Sequence, residues 1–186
     1  MMRAHSTQLF MLCCGALVNT PEAFRSLKDN FETLGIPRLL AFGAAGLQAA
    51  LTVAFFINFV QKILIENVNF TDAQLGNLLS LSANLGRHTK VLVMSSDPTG
   101  PSRSTTAVYS WSHPTIRPWG ELIDAQCGLC KRLFCLKAAR SPDGSAYITT
   151  CRTAKCEYRK VTHRPPGTQT LNPAEGTWLK QIIRDD

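Results

Sequence analysis

Short unbroken runs of apolar residues alternate along the chain with stretches in which apolar positions recur every three or four residues. Residues 9–13 (LFMLC), 38–42 (RLLAF) and 90–94 (KVLVM) are runs of the first kind, bounded by small or polar residues. That is the pattern of strands buried on both faces. Between the first two, Thr20-Pro21-Glu22 puts a cap residue ahead of a proline at the first helical position, and Phe24, Leu27, Phe31 and Leu34 follow at helical spacing until Gly35. This predicts a helix. A second helix is expected over about 47–65, apolar nearly all round as a helix covering a sheet can be. Asn69 or Thr71 caps a third, with Asp72 in its first turn and Leu75, Leu78, Leu79 and Leu81 along one side until Gly86. Residues 1–94 therefore read β-α-β-α-α-β, the order of a parallel sheet in a three-layer α/β arrangement. Three strands are few for such a sheet. The segment is expected to be the trailing part of a larger fold or to take strands from a partner.

Residues 39–60 carry no charge, and a helix of that length could also cross a bilayer. Gly43, Gly46, Gln48, Thr52 and Asn58 interrupt the run, and its first third reads as strand plus turn. The buried helix is the expectation, and a single membrane span with the basic C-terminal module on the positive, cytosolic side is the alternative.

Ser, Pro and Gly crowd residues 95–104 (SSDPTGPSRS), which marks a linker and the clearest domain boundary. Beyond it, residues 105–111 alternate like an exposed or edge strand, and Arg117-Pro118-Trp119-Gly120 leads into a cysteine-rich stretch. Cys127, Cys130, Cys135, Cys151 and Cys156 stand at C-x2-C-x4-C-x15-C-x4-C. Thiolates at such spacings grip one metal ion from two knuckles. Leu133 to Leu136 and Ala146 to Ile148 read as the strands of a hairpin turned by Ser141-Pro142-Asp143-Gly144, with a third strand from Tyr158. Residues 105–186 are thus expected to form a small β-rich zinc ribbon. Cys127, Cys130, Cys151 and Cys156 are expected to hold a structural zinc, and Cys135 either turns into the hairpin core or replaces one ligand. A closing strand or short helix follows Gly176, with Trp178 against the ribbon or Trp119. With so little core, such a module takes part of its folding free energy from the metal.

The formal charge of the chain, +7 over 186 residues, changes this picture by its placement. Nine basic residues lie between Cys127 and Arg164, opposed only by Asp143 and Glu157. Lys131, Arg132, Arg152, Lys155, Arg159 and Lys160 are accordingly the expected partner-binding residues, for nucleic acid or an acidic protein surface. Some of that charge also offsets the formal −2 of a four-thiolate zinc centre. Seven cysteines, an odd number, and no clean cleavage site after the apolar residues 9–18 point to a reducing compartment, cytoplasmic or nuclear.

Residues 1–94 resemble the last portion of the caspase-haemoglobinase fold, in particular CHAT-type domains. LFMLCCG resembles their apolar strand ending in the nucleophile, RLLAFGAAG the strand after it, and FTDAQLGNLLSLSANL a late leucine-rich helix. The resemblance implies a cysteine-peptidase-like protein with Cys13 or, better, Cys14 in the nucleophile position. The family's histidine lies on a strand well upstream, where this chain has only His5, while His88 and His113 are downstream. A Cys-His pair needs hydrogen-bond contact, so the resemblance implies an inactive relative. Taken as packing, Cys13 and Cys14 are two small apolar residues of a buried strand. GRHTKVLVM, RPWG and QCGLC also resemble uncharacterised multi-copy proteins of mushroom-forming fungi. No complete catalytic signature appears. The expectation is a non-enzymatic zinc-ribbon protein that contacts nucleic acid or protein.

Overall fold

Two of the unbroken apolar runs, 38–42 and 90–94, lie inside a sheet, while the first, 9–13, gives a partly exposed edge strand rather than one buried on both faces. The computed structural model describes residues 8–13, 15–96, 104–171 and 176–183. Its strands are β1 (Gln8–Met11), β2 (Arg38–Phe42), β3 (Val91–Ser96), β4 (Ser104–Ser112), β5 (Leu136–Arg140), β6 (Ala146–Cys151), β7 (Arg159–His163), β8 (Gln169–Leu171) and β9 (Thr177–Ile183). Six of them form one sheet in the order β1-β2-β3-β4-β9-β8, and β5-β6-β7 form a second. Five α-helices accompany them: α1 (Ala16–Asn19), α2 (Pro21–Thr33), α3 (Val53–Phe59), α4 (Asp72–Ser80) and α5 (Ala83–His88). The fold is α/β with a β-rich part.

Alternation along β2 sorts its side chains to two cores. Leu39 and Ala41 join Phe31 and Met94 beneath α2, with Phe24 and Leu27 packed against them. Leu40 and Phe42 face the other way, into a larger cluster with Phe55 and Phe59 of α3, Leu75 and Leu79 of α4, and Leu85 of α5. The strand β2 is therefore buried on both faces between helices. Thr71 accepts a hydrogen bond at its hydroxyl from the N–H of Gln74 (3.3 Å) and caps α4, as its position before Asp72 indicates.

Only β1 and β2 run parallel; all other pairs in the large sheet are antiparallel. This corrects the expected parallel sheet, and the chain path explains it. Gly43, just after β2, donates its N–H to Lys90 O (3.0 Å), and Ala44 N–H donates to Thr89 Oγ1 (2.9 Å). The helices between β2 and β3 thus leave and return at the same end of the sheet, so β3 must run back. Hydrophobic periodicity carries no information about strand direction.

Residues 39–60 are not a membrane span. They begin as a strand and continue through a 3-10 turn (Ala49–Thr52) and α3 into a π-helical turn, Val60–Ile65. No described helix is long and apolar enough to cross a membrane. Nor is α3 buried all round: Phe55 and Phe59 are inside, while Val53 and Ile57 are more than half exposed.

The strands that the first half lacks come from further along the same chain. β4 pairs with β3 from Val91↔Tyr109 to Ser96↔Ser104, and β9 pairs with β4 from Thr106↔Ile183 to Ser112↔Thr177. β4 is consequently not an edge: its Tyr109 and Trp111 are buried in the main core. Trp178 lies there too, opposite Trp111, rather than on the ribbon or on Trp119. The approach of α5 to this pair depends on Gly86, where a Cβ would come within 2.3 Å of Trp111 Cβ. Of the expected linker, residues 97–103 lie outside the described residues. The division into 1–94 and 105–186 does not follow the sheets, because residues 104–112 and 177–183 extend the sheet of the first half.

The RPWG stretch joins the two sheets. Arg117 is buried and donates from Nη1 to Gly86 O (2.8 Å) and Arg87 O (3.0 Å), closing the end of α5. Two residues on, the Trp119 indole N–H donates to Thr162 O of β7 (3.2 Å), and its ring meets Tyr147 of β6 edge-on at 5.0 Å. Leu179 of β9 completes this small cluster. Trp119 thus pins the small sheet to the large one.

Candidate metal centre

A hairpin fixes one half of the centre. Ser141 Oγ (2.5 Å), Ser145 N–H (3.1 Å) and Ser145 Oγ (2.6 Å) all donate to the Asp143 carboxylate. These bonds, the Ser141 one foremost, hold its pKa down to about 2. Gly144 takes the left-handed conformation that the turn requires (φ 71°). The register that follows sets Cys151, the last residue of β6, opposite Leu136 at the start of β5.

Two knuckles supply the thiols. In the first, Lys131 N–H bonds to Cys127 O (3.1 Å), Cys127 N–H to Arg132 O (2.9 Å), and Phe134 N–H to Ala125 O (2.7 Å). In the second, Cys156 N–H bonds to Thr153 O (3.1 Å). Both turns use a non-glycine residue at positive φ, Lys131 (58°) and Lys155 (64°). Gly128 leaves room for Tyr158: a Cβ there would lie 3.1 Å from the tyrosine ring.

The result is a cluster of five sulfurs. Cys127 Sγ lies 3.8 Å from Cys156 Sγ, and Cys130 Sγ lies 3.7 Å from Cys151 Sγ. A tetrahedral ion with metal–sulfur bonds of about 2.3 Å has edges of about 3.8 Å. Cys127, Cys130, Cys135 and Cys151 lie with all sulfurs within 4.8 Å of one another, a group able to hold a metal ion. Cys135 Sγ is 3.4 Å from Cys151 Sγ and donates to Arg132 O at 3.2 Å. Of the two expectations for Cys135, the hairpin core is corrected: it precedes β5 and sits half-buried beside the other thiols, within reach of the same ion.

Backbone amides prepare several of these sulfurs for negative charge. Arg132 N–H lowers the Cys130 pKa. The Thr153 hydroxyl, with its N–H (3.4 Å), holds Cys151 down to about 6. At Cys156 the Tyr158 N–H works in the same direction, but burial and the sulfurs of Cys130, Cys151 and Cys127 outweigh it and push the thiol up to about 12. Burial and then Cys151 push Cys135 up to about 11. Crowded thiolates cannot all ionise together unless a cation joins them.

The basic residues do not form one patch. Lys131 and Arg132 lie exposed on the first knuckle, and Arg152 and Lys155 on the second. Lys160 stands opposite Thr149 and pairs with Asp124 at 3.6 Å. Arg159 falls on the other face of the small sheet, in a row with Thr150 and Lys137. Lys131 reaches back to its own knuckle, donating from Nζ to Gly128 O (2.9 Å).

Sequence reasoning missed Phe134. Read as part of a strand, it instead sits ahead of β5 with φ 51° and 85% of its surface exposed, next to exposed Leu133. Its one sequence signal is position, between Arg132 and Cys135, where a side chain on a knuckle has no interior to enter. Cys14 lies outside the described residues. Of the described histidines, His88 accepts the Gln48 N–H at Nε2 (3.0 Å), His113 stacks on Trp111, and His163 is exposed on β7. No family model, no curated protein and no solved structure matches the chain, so the resemblance to CHAT-type domains and to fungal multi-copy proteins gains no support from comparison.

Proposed function

We propose that the chain is a non-enzymatic binding protein whose ribbon is folded by one structural zinc ion, held by Cys127, Cys130, Cys151 and Cys156, and whose partner is nucleic acid. The zinc assignment rests on two sulfur–sulfur edges, 3.8 and 3.7 Å, that together use four different cysteines. Four thiolates in a tetrahedron suit zinc, and they leave no position for a reacting water. Cys135, with its S–H directed at a carbonyl, stays outside the set. Metal analysis of protein purified under reducing conditions tests this: one zinc per chain is expected, and a fold indifferent to chelation ends the reading.

The partner is argued from the exposed surface around the knuckles. Phe134 stands clear of the protein, on the same knuckle exit as exposed Lys131 and Arg132 in the chain, and an exposed ring is a surface on which a base can stack. Lys137 and Arg159 add charge on the open face of the ribbon. Neutralising phosphates releases counterions, so affinity for a labelled single strand should fall steeply with salt. Binding that is negligible even at low salt sinks the nucleic-acid reading. Leu129 and Leu133, both more than 60% exposed, favour a second reading in which the same tip docks on an acidic protein surface.

A further inference from the structure

Five thiols crowd a centre that needs four, so one is left over beside it. We propose that Cys135 is an oxidation site: a peroxide joins it to Cys151 as a disulfide, and the ion leaves. This rests on the zinc reading above and extends it to the regulation of the same centre.

Three observations carry it. Cys135 Sγ lies 3.4 Å from Cys151 Sγ, nearer than the 3.7 and 3.8 Å edges between the four assigned ligands. The backbone holds the two residues side by side, since Arg152 N–H donates to Cys135 O (2.8 Å) and Leu136 pairs with Cys151. Both cysteines are half-buried rather than enclosed, so a small oxidant can reach them, whereas Cys127 is fully buried.

The chemistry balances with hydrogen peroxide as oxidant. The Cys135 thiol gives up its proton and the thiolate attacks one peroxide oxygen; the O–O bond breaks, the departing hydroxide takes that proton, and the products are a sulfenic acid on Cys135 and one water. The Cys151 sulfur then attacks the Cys135 sulfur. The S–S bond forms, the S–O bond breaks, and the departing hydroxide takes a proton to become a second water. Two sulfurs have lost two electrons in all, and these have reduced the peroxide. A dithiol reductant such as dithiothreitol reverses the step by exchange. The outcome does not depend on which residue is the fourth ligand. Cys127, Cys130 and Cys151 are shared between the assigned set and the group containing Cys135, so the disulfide strips a ligand from either. The ribbon then loses its staple and, with it, the shape of the basic surface.

The experiment uses the full zinc-loaded chain exposed to hydrogen peroxide, with zinc release followed by a chromogenic indicator and disulfides mapped by mass spectrometry after alkylation. Release accompanied by a Cys135–Cys151 cross-linked peptide, both reversed by dithiothreitol and added zinc, is the expected result. Cys135→Ser should keep one zinc in reducing buffer and release it about tenfold more slowly under peroxide. Release from Cys135→Ser at the parent rate overturns the proposal alone. A first disulfide in the parent protein that links any other pair overturns it equally, without recourse to a variant. Loss of zinc from Cys135→Ser already in reducing buffer overturns the four-ligand assignment but not the disulfide, which the first cross-link mapped in the parent protein then decides. A parent chain that never holds zinc overturns the zinc reading on which it stands.

Discussion

The two sheets are stabilised by different means. The middle of the six-stranded sheet is covered on both faces, by Phe31 and its neighbours on one side and by a cluster including Phe55, Leu79, Tyr109, Trp111 and Trp178 on the other. The three-stranded ribbon has one small cluster, Trp119, Tyr147 and Leu179, of which two members belong to other parts of the chain. What it has instead is five sulfurs in contact. A sheet with apolar residues on both faces folds by burial alone, whereas an element this thin needs a staple. The difference should therefore appear as two unfolding events with different causes.

Removing the proposed zinc is the strongest way to expose it. Chelation, or Cys151→Ser, should unfold the ribbon while the large sheet persists, because structural zinc in small modules is worth about 10–16 kcal/mol of apparent binding free energy. Far-ultraviolet circular dichroism should retain its helical signal, and amide exchange should rise across residues 125–163 and stay low in β2 and β3. Uniform exchange throughout would mean that the two sheets are one cooperative unit.

Phe55→Ala attacks the other side of the comparison. Phe55 is fully buried against Phe56 and Phe59, and truncating such a residue costs about 3–5 kcal/mol. Thermal unfolding should shift down accordingly, with zinc content unchanged. A loss of zinc in this variant would show that the centre depends on the helical layers.

These two regions were also legible in the sequence to different degrees. Paired knuckle spacing identified the cysteines because metal coordination needs particular residues at short separations. Apolar runs located β2 and β3 for a similar reason, since burial on both faces leaves an unbroken signature. Strand direction did not show, because Leu39 to Phe42 would look the same in a parallel or an antiparallel pair. β4 looked like an edge since serines and threonines occupy much of it, although Tyr109 and Trp111 carry its buried face. Cys135 and Phe134 were misplaced together, as a strand pattern and a knuckle exit look alike over four residues. The fold class and the thiol cluster could be read, while the path by which residues 104–112 and 177–183 return to the first sheet could not.

The joint between the regions gives a smaller effect. Trp119→Phe keeps a ring against Tyr147 but removes the N–H that donates to Thr162 O. A lost hydrogen bond of this kind costs about 1 kcal/mol. The variant should keep its zinc and the stability of each sheet nearly intact, and show faster amide exchange at Thr162 and in residues 118–120. Unaltered exchange there would mean that packing of the ring alone makes the joint.

The smallest expected effect lies at the far end of the ribbon, in the Asp143 turn. Its carboxyl is held at about 2 by Ser141 and Ser145, below the ordinary 3.8. A depressed folded-state pKa contributes stability that is fully present above the unfolded value and is lost as pH falls through the folded one. The turn's contribution should therefore be constant above about pH 4–5 and disappear between there and about pH 2. Asp143→Asn removes the charge at every pH but keeps an acceptor for the serine hydroxyls. Monitored by amide exchange at Ser145 and Ala146, the parent should loosen over that acid window, and the variant should start looser and show no such step. Because carboxylate bonds to an exposed turn are screened by water, the change should stay local and leave zinc content untouched. An equal acid step in Asp143→Asn would assign the effect to some other carboxyl.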